Sequence, residues 1–301
     1  MTTTGKDLYP SRVSSEPNRL MRVDPVVWGA FDAVPDAQLT QEQLENFRDD
    51  GFLWLEGLFG QDEIESFNTE LQRMARDPEL PESETSVAED ATDTLNVVFD
   101  IHRRSTAFKE LAKDRRLAHA ARQILNSDVY IHQSRIDVKP ALREAGVFWR
   151  SDFETWHTED GLPRCRTVCA LVALDEINEF NGPVMMMPGS HKTFVSCVGD
   201  PEGNGQVEAA GGMPLGTPDA ENLKHLMEDG GIVAPKGPAG SLLLFDCNVM
   251  QASASNLTPY PRASVVYVFN SVENAAEAPF AARSPRPDYV GSRDFTPVSQ
   301  L

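Results

Sequence analysis

The spacing of apolar residues changes character near residue 128. Before it, apolar positions recur every three or four residues, the spacing typical of one face of a helix. Thr40 followed by Gln43 predicts a capping box, Leu44 and Phe47 give the apolar face that follows it, and Gly51 closes that helix. A second helix is predicted after an Asp62 cap, and a third helical region spans about 105–125.

After residue 128 the apolar and polar residues alternate, which indicates strands. Strands are predicted at 128–138, 147–153, 166–174, 183–187, 240–246 and 263–270, with an earlier short strand at 52–55. Residues 219–229 are predicted to form a short helix, and loops are predicted at 78–94 and 199–217. Helices followed by many short strands predict a mainly β fold with flanking helices and a double-stranded β-helix core, of the jelly-roll or cupin-like kind.

This pattern divides a single domain of 301 residues into three parts. Residues 1–36, rich in proline, are predicted to form an extended N-terminal arm, residues 37–127 a helical flank, and residues 128–275 the jelly-roll core. We find no internal repeat and no second domain.

Charge narrows the range of partners. The chain has 27 Lys and Arg against 46 Asp and Glu, a net charge of −19, which argues against nucleic acid or an anionic membrane. No apolar run approaches the length of a membrane span, and the N-terminus has no signal-peptide core. The four cysteines lack zinc-site spacing and are expected to be reduced, as in the cytoplasm. A homodimer is compatible with the sequence, although no apolar stripe demands one.

Candidate chemistry is concentrated in the segment 148–157. Arg150 and Asp152 are two residues apart, so on a strand they would share a face, and Glu154 would continue it. Gln251 follows about a hundred residues later. Of Arg150, Asp152 and Gln251, only Asp152 is a strong metal ligand, because arginine has no lone pair to give and a glutamine amide suits hard cations. Other metal-binding candidates are His157, His191 and Asp246, which nothing in the sequence brings together.

Several long blocks carry a family resemblance. They are 130–136 (YIHQSRI), 151–157 (SDFETWH), 179–183 (EFNGP), 188–194 (PGSHKTF), 245–248 (FDCN) and 270–274 (NSVEN). From about Asp24 to Pro287 the chain resembles the ectoine hydroxylases, a branch of the phytanoyl-CoA dioxygenase superfamily of Fe(II) and 2-oxoglutarate oxygenases. The resemblance implies that Arg150 and Gln251 stand where this family has its two metal-binding histidines, with Asp152 as the remaining ligand.

The resemblance also implies a substrate pocket. Phe99, Gln133, Trp156 and Phe245 match the residues that the family uses for its substrate, and Arg262 matches the arginine that holds 2-oxoglutarate. Aromatic walls with one amide suit a small zwitterionic or cationic ring. Other positions differ from the family pattern. Val147 replaces an aromatic residue, Cys169 and Leu171 replace two residues with hydroxyl side chains, and Val266 replaces a phenylalanine.

Three hypotheses follow. The first, which the departures from the family pattern favour, is an enzyme without metal or other cofactor that acts non-oxidatively on a small amino-acid-derived metabolite. Arg150, Asp152, Glu154 and Gln251 would supply its acid, base or hydrogen-bonding groups. The second is a protein that binds a small molecule without converting it. The third is an Fe(II) and 2-oxoglutarate oxygenase with atypical ligands.

Overall fold

The computed structural model describes residues 7–31, 36–77, 86–89, 94–142, 146–199 and 216–301. In these ranges the strands form three antiparallel sheets. The strands are β1 (Asn18–Met21), β2 (Phe52–Leu55), β3 (Ser86–Glu89), β4 (Thr94–Phe99), β5 (Val129–Lys139), β6 (Val147–Arg150), β7 (Thr167–Ala173), β8 (Val184–Met186), β9 (Thr193–Ser196), β10 (Leu242–Asp246), β11 (Gln251–Ser253) and β12 (Arg262–Ser271).

The main sheet has the order β2-β10-β7-β12-β5-β4-β3. Its central strands β7, β10 and β12 are buried along their whole length. Such strands are rich in Val, Leu and Phe because both of their faces are covered. The long pairing of β5 with β12 aligns Lys139 with Arg262 at one end of the two strands.

A smaller sheet, of order β6-β11-β8, faces the main one. One cavity is lined by side chains of both sheets, including Gln133 and Phe245 from the main sheet and Arg150 and Gln251 from the smaller one. Two antiparallel sheets that enclose a cavity are the predicted jelly-roll arrangement. This fold prediction is therefore confirmed.

The helices pack in different places: the first five in the chain bury side chains in the apolar cluster of the main sheet, and the last two pack in other clusters. The helices are α1 (Gln41–Asp50), α2 (Gln61–Ala75), α3 (Ile101–Arg104), α4 (Thr106–Ala112), α5 (Arg115–Leu125), α6 (Asp152–Thr155) and α7 (Ala220–Gly230). The amphipathic α5 buries Leu117 and Ile124 in the same apolar cluster as Val172 and Val265 of the main sheet. This packing accounts for the apolar face that the sequence shows.

The helix boundaries follow local capping chemistry. Thr40 and Gln43 form the predicted capping box, and Gly51 ends α1 in the left-handed conformation, with φ 84°. The predicted third helix is two helices, because the Asp114 side chain accepts a hydrogen bond from the amide of Arg116 and starts α5. The cap of α2 is Gly60, where the sequence suggested Asp62.

Within the described residues, the N-terminal arm is tied to the core. β1 pairs with β9, and the hydroxyl of Tyr9 donates to Asp24 at 2.9 Å. The predicted loop at 199–217 lies almost wholly outside the described residues. Most of the predicted loop at 78–94 does too, but its described part, Ser86–Glu89, is the strand β3 paired with β4, so the loop prediction is wrong there. No described helix is both long and apolar enough to cross a membrane.

Candidate functional site

A cavity of about 480 Å³ between the two sheets collects most of the residues that the sequence singles out. Eight of the nine candidates line it: Phe99, Gln133, Arg150, Asp152, Trp156, Phe245, Gln251 and Arg262. They come from strands and a short helix that are far apart in sequence. The fold therefore assembles one concave site of the size that small-molecule ligands use.

Arg150, Asp152 and Gln251 form a small polar network on the smaller sheet. Arg150 and Gln251 are direct neighbours on β6 and β11. The Gln251 amide nitrogen donates to Asp152 Oδ2 at 2.7 Å, and Arg150 Nε lies 3.5 Å from Asp152 Oδ1. The Arg150 side chain keeps 47 % of its exposure, whereas that of Asp152 keeps only 10 %. Asp152 is thus a buried carboxylate with an amide donor and a partly solvated cation beside it.

Glu154 does not belong to this network, which corrects one sequence prediction. The strand β6 ends at Arg150, and Asp152 begins the short helix α6, so alternation along a strand no longer applies. Glu154 is buried on the other side of the cavity wall, where Ser11 Oγ donates to it at 2.7 Å. Arg12 donates to both of its oxygens, at 2.9 and 2.7 Å. A carboxylate this fully engaged anchors the N-terminal arm.

The aromatic and amide residues of the pocket are held by the C-terminal segment. The Gln133 amide nitrogen donates to the carbonyl oxygen of Val290 at 2.6 Å, and the Phe99 ring lies 6.2 Å from the ring of Tyr289. On the same strand as Gln133, the ring of His132 meets Trp156 edge to face at 5.6 Å. These contacts fix the pocket walls in place.

Behind Trp156 lies a buried charged cluster that the sequence did not reveal. Asp160 accepts hydrogen bonds from Arg286 Nε and Nη2 at 2.8 and 2.5 Å, and its Oδ2 lies 3.0 Å from His132 Nε2. Burial raises the pKa of Asp160, but the hydrogen bonds from Arg286 and His132 outweigh it and lower that pKa to about 2. Asp160 thereby fixes Arg286, which itself lines the cavity.

Arg262 is a buried cation in the lining of the cavity. Its Nε and Nη2 donate to the carbonyl oxygens of Asn181 and Gly182 at 3.1 and 3.0 Å. Its Nη1 is buried and has no hydrogen-bond partner among the described residues. Burial lowers the pKa of the Arg262 guanidinium, although nearby carboxylates oppose this. An unpaired donor on a buried cation is costly, and an anion in the cavity would remove that cost.

Three further cavity residues lie on β5 and were missed. Arg135, Asp137 and Lys139 follow Gln133 at intervals of two residues, and all four line the cavity. Arg135 Nε donates to Asp137 at 2.9 Å, and its Nη1 donates to the Gln133 side-chain oxygen. The signal was present in the sequence, because residues two apart on a strand face the same side. Arg286, by contrast, reaches the cavity from an irregular segment that no periodicity marks.

The remaining metal-ligand candidates are occupied elsewhere. His157 lies 3.0 Å from Asp7 and 2.8 Å from the carbonyl oxygen of Leu162, and His191 lies 3.0 Å from the carbonyl oxygen of Arg48. Asp246 pairs with Arg22 at 2.7 Å. Within the described part of the chain, no three His, Cys, Asp or Glu side chains come together as a metal site. Beside Arg150, the metal-binding side-chain atoms are therefore the oxygens of Asp152 and the amide oxygen of Gln251.

Comparison with known proteins places the chain among relatives of known chemistry. The profile of the phytanoyl-CoA dioxygenase family matches residues 47–264. The ectoine dioxygenase of Streptomyces avermitilis is 45 % identical over 296 residues, which cover 98 % of this chain and 99 % of that protein.

Solved structures agree with this placement. EctD from S. alaskensis, with 2-oxoglutarate and 5-hydroxyectoine, is 38 % identical with a TM-score of 0.87 over 98 % of both chains. The structure of EctD from S. alaskensis with bound Fe has a TM-score of 0.86 and the same identity, over 97 % of this chain and 96 % of that one.

These relatives correct the prediction that no cofactor is expected. Iron and 2-oxoglutarate are both found in solved structures of EctD, so the expectation of a cofactor-free, non-oxidative enzyme is wrong as the leading hypothesis. The homodimer and the roles given to individual site residues stay predictions. The fold, the cavity and the relatives over nearly the whole chain lead to one conclusion: this protein belongs to the phytanoyl-CoA dioxygenase family, as a member similar to the ectoine dioxygenases.

Proposed function

We propose that this chain is an Fe(II) and 2-oxoglutarate-dependent hydroxylase with an atypical set of metal ligands, acting on a small zwitterionic ring such as ectoine. The observation that carries the proposal is the cavity itself. It brings the aromatic side chains of Phe99, Trp156 and Phe245 together with the amide of Gln133. Aromatic faces attract a cationic or delocalised ring, and one well-held amide gives it a single orientation.

The part of the site that would hold 2-oxoglutarate fits that molecule. Arg262 is buried in the cavity wall, and its Nη1 has no hydrogen-bond partner in the part of the chain that the structure describes. A carboxylate of the co-substrate would accept from that nitrogen in a charge-assisted hydrogen bond. The carbonyl oxygens of Asn181 and Gly182 hold the other two nitrogens, so the guanidinium is already oriented before an anion arrives.

The metal part departs from the usual set. Non-haem iron oxygenases hold the metal with two histidines and one carboxylate, and we infer that Arg150 and Gln251 occupy the two histidine positions. The three residues do not fit that set, because only Asp152 and the Gln251 amide oxygen could coordinate a metal, and Arg150 is a cation with no free electron pair. When bound, iron and 2-oxoglutarate would supply the activation of molecular oxygen, which is the oxidant in the hydroxylation. The chain's own residues bind and orient the substrate, and they exclude water from it.

The decisive experiment is turnover by anaerobically reconstituted protein. The protein is loaded with Fe(II), supplied with 2-oxoglutarate, ectoine and oxygen, and assayed by mass spectrometry for 2-oxoglutarate consumption and hydroxylated product. We expect product that depends on iron and is abolished by a chelator. The double variant Arg150→His/Gln251→His, which restores an imidazole at both positions, is the positive control.

The control makes each outcome informative. Product from the double variant and none from the natural chain would refute the proposal for the natural chain. Tight binding of ectoine by the natural chain without any conversion would indicate a small-molecule-binding protein instead. If neither protein binds or converts ectoine, the inferred substrate class is wrong.

A further inference from the structure

The cavity is cationic in a strongly acidic protein. The chain has a net charge of −19, yet the described cavity-lining residues include more cations than carboxylates. The cations are Arg135, Lys139, Arg150, Arg262 and Arg286, and the carboxylates are Asp137 and Asp152. A cluster of like charges in a concave site attracts ligands of opposite charge. The cavity is therefore electrostatically suited to an anion.

Three of these cations belong to a continuous band of polar side chains that also includes Gln251 and Ser253. Arg150 on β6 is paired with Gln251 on β11, and Ser253 lies two residues further along that strand. Lys139 Nζ donates to Ser253 Oγ at 2.7 Å, and Lys139 is paired in turn with Arg262 across β5 and β12. All five residues line the same cavity. The band thus leads from one guanidinium to the other across neighbouring strands.

The guanidinium groups at the two ends of the band, those of Arg262 and Arg150, have N–H donors that make no hydrogen bond within the described residues. Within the described ranges, Arg262 Nη1 has no hydrogen-bond partner. Arg150 has only its 3.5 Å approach to Asp152 among the contacts found in the described residues, which is longer than a hydrogen bond. Asp152 already accepts the shorter hydrogen bond from Gln251, at 2.7 Å. Asp152 therefore does not fully neutralise the Arg150 guanidinium, which can still donate hydrogen bonds to a ligand.

We propose that Arg150 is an anion-binding residue, which holds the second carboxylate of a dicarboxylate whose first carboxylate lies on Arg262 and Lys139. This rests on the proposed function in one respect, since 2-oxoglutarate is the dicarboxylate that it supplies. Arg150, which departs from the family pattern, is here a binding residue for the anion. A planar guanidinium can hold a carboxylate through two parallel hydrogen bonds, which suits it to this role.

The test is calorimetric binding to the full chain in the presence of a chelator, so that no metal contributes. The probes are 2-oxoglutarate and 2-oxopentanoate, which differ only in the second carboxylate. We expect the natural chain to prefer the dicarboxylate by ~10-fold or more, as a charge-assisted hydrogen bond implies. Arg150→Gln and Arg262→Gln should each reduce that preference to roughly two-fold, and Arg150→Lys should restore part of it.

Arg76→Gln is the matched control, because it removes one exposed positive charge outside the cavity. It should leave the preference unchanged. An unchanged preference in a folded Arg150→Gln variant overturns the proposal, and so does a natural chain that does not prefer the dicarboxylate. The result is independent of the hydroxylation assay: anion binding that needs Arg150 can be present without turnover, and turnover can occur with an Arg150 that binds nothing.

Discussion

Asp160 offers the sharpest test of how the pocket is held together. Asp160→Asn keeps the shape of the side chain but removes the charge that pairs with Arg286 and faces His132. The Asp160 side chain is only 2 % exposed, so solvent cannot replace the lost contact easily. Lowering the pKa of Asp160 from its ordinary value of 3.8 to about 2 corresponds to a stabilisation on the order of 2–3 kcal/mol.

The sign of the pH effect follows from the lowered pKa. The native state favours the charged carboxylate, so the stabilisation is complete above about pH 4 and is lost as the pH falls towards about 2. We expect Asp160→Asn to lower the free energy of unfolding by about 2–3 kcal/mol at pH 7. The difference from the natural protein should shrink progressively below pH 4.

Urea denaturation of both proteins between pH 7 and pH 2.5 measures this difference directly. Glu63→Gln is a suitable control, because it also removes a carboxylate that pairs with an arginine, Arg116, but its side chain is 41 % exposed. Its effect should stay below about 1 kcal/mol. An Asp160→Asn variant as stable as the natural protein at pH 7, or a difference that does not change with pH, would refute the electrostatic reasoning.

Three other predictions follow from the site and its supports. Arg262→Gln should weaken 2-oxoglutarate binding by ~10-fold or more, measured by calorimetry, because the unpaired Nη1 is lost; equal affinity would remove Arg262 from the binding site. Glu154→Gln should lower the free energy of unfolding by about 2 kcal/mol or more, because it removes the buried charge that pairs with Arg12. The affinity for ectoine should stay unchanged, because neither residue lines the cavity. Gly51→Ala should lower the melting temperature by several degrees, which corresponds to roughly 2 kcal/mol. The reason is that Gly51 has φ 84° and that a Cβ there would meet the ring of His191. An unchanged melting temperature would contradict this.

Much of the fold could be predicted from the sequence because its signals are local. The capping box at Thr40 and the alternation after residue 128 each depend on residues close together in the chain. The strand predicted at 147–153 ran too far, because β6 stops at Arg150 and a helix starts at Asp152. Where the strand ends is set by packing: the amide of Phe153 donates to the carbonyl oxygen of Cys247, a residue that is distant in sequence.

The site was predictable only where a motif or a periodicity marked it. The motif located Asp152 and Gln251, and the structure brings them within hydrogen-bonding distance. Arg135 and Lys139 had a usable signal in the alternation of β5. Arg286 had none, because its place beside Asp160 depends on how an irregular C-terminal segment crosses the core.

The exposure of Arg150 links the two proposals about the cavity. A cation beside Asp152 opposes a metal ion at the same carboxylate, since like charges repel strongly where solvent is scarce. Arg150 is nevertheless half exposed and lies 3.5 Å from Asp152, so its flexible side chain can move away at small cost. A carboxylate that engages the guanidinium would draw it from Asp152 and neutralise its charge. Anion and metal would then bind with positive coupling, which is reciprocal by thermodynamic necessity. Arg150 and an atypical iron site are therefore compatible, provided that the co-substrate is the group that Arg150 holds.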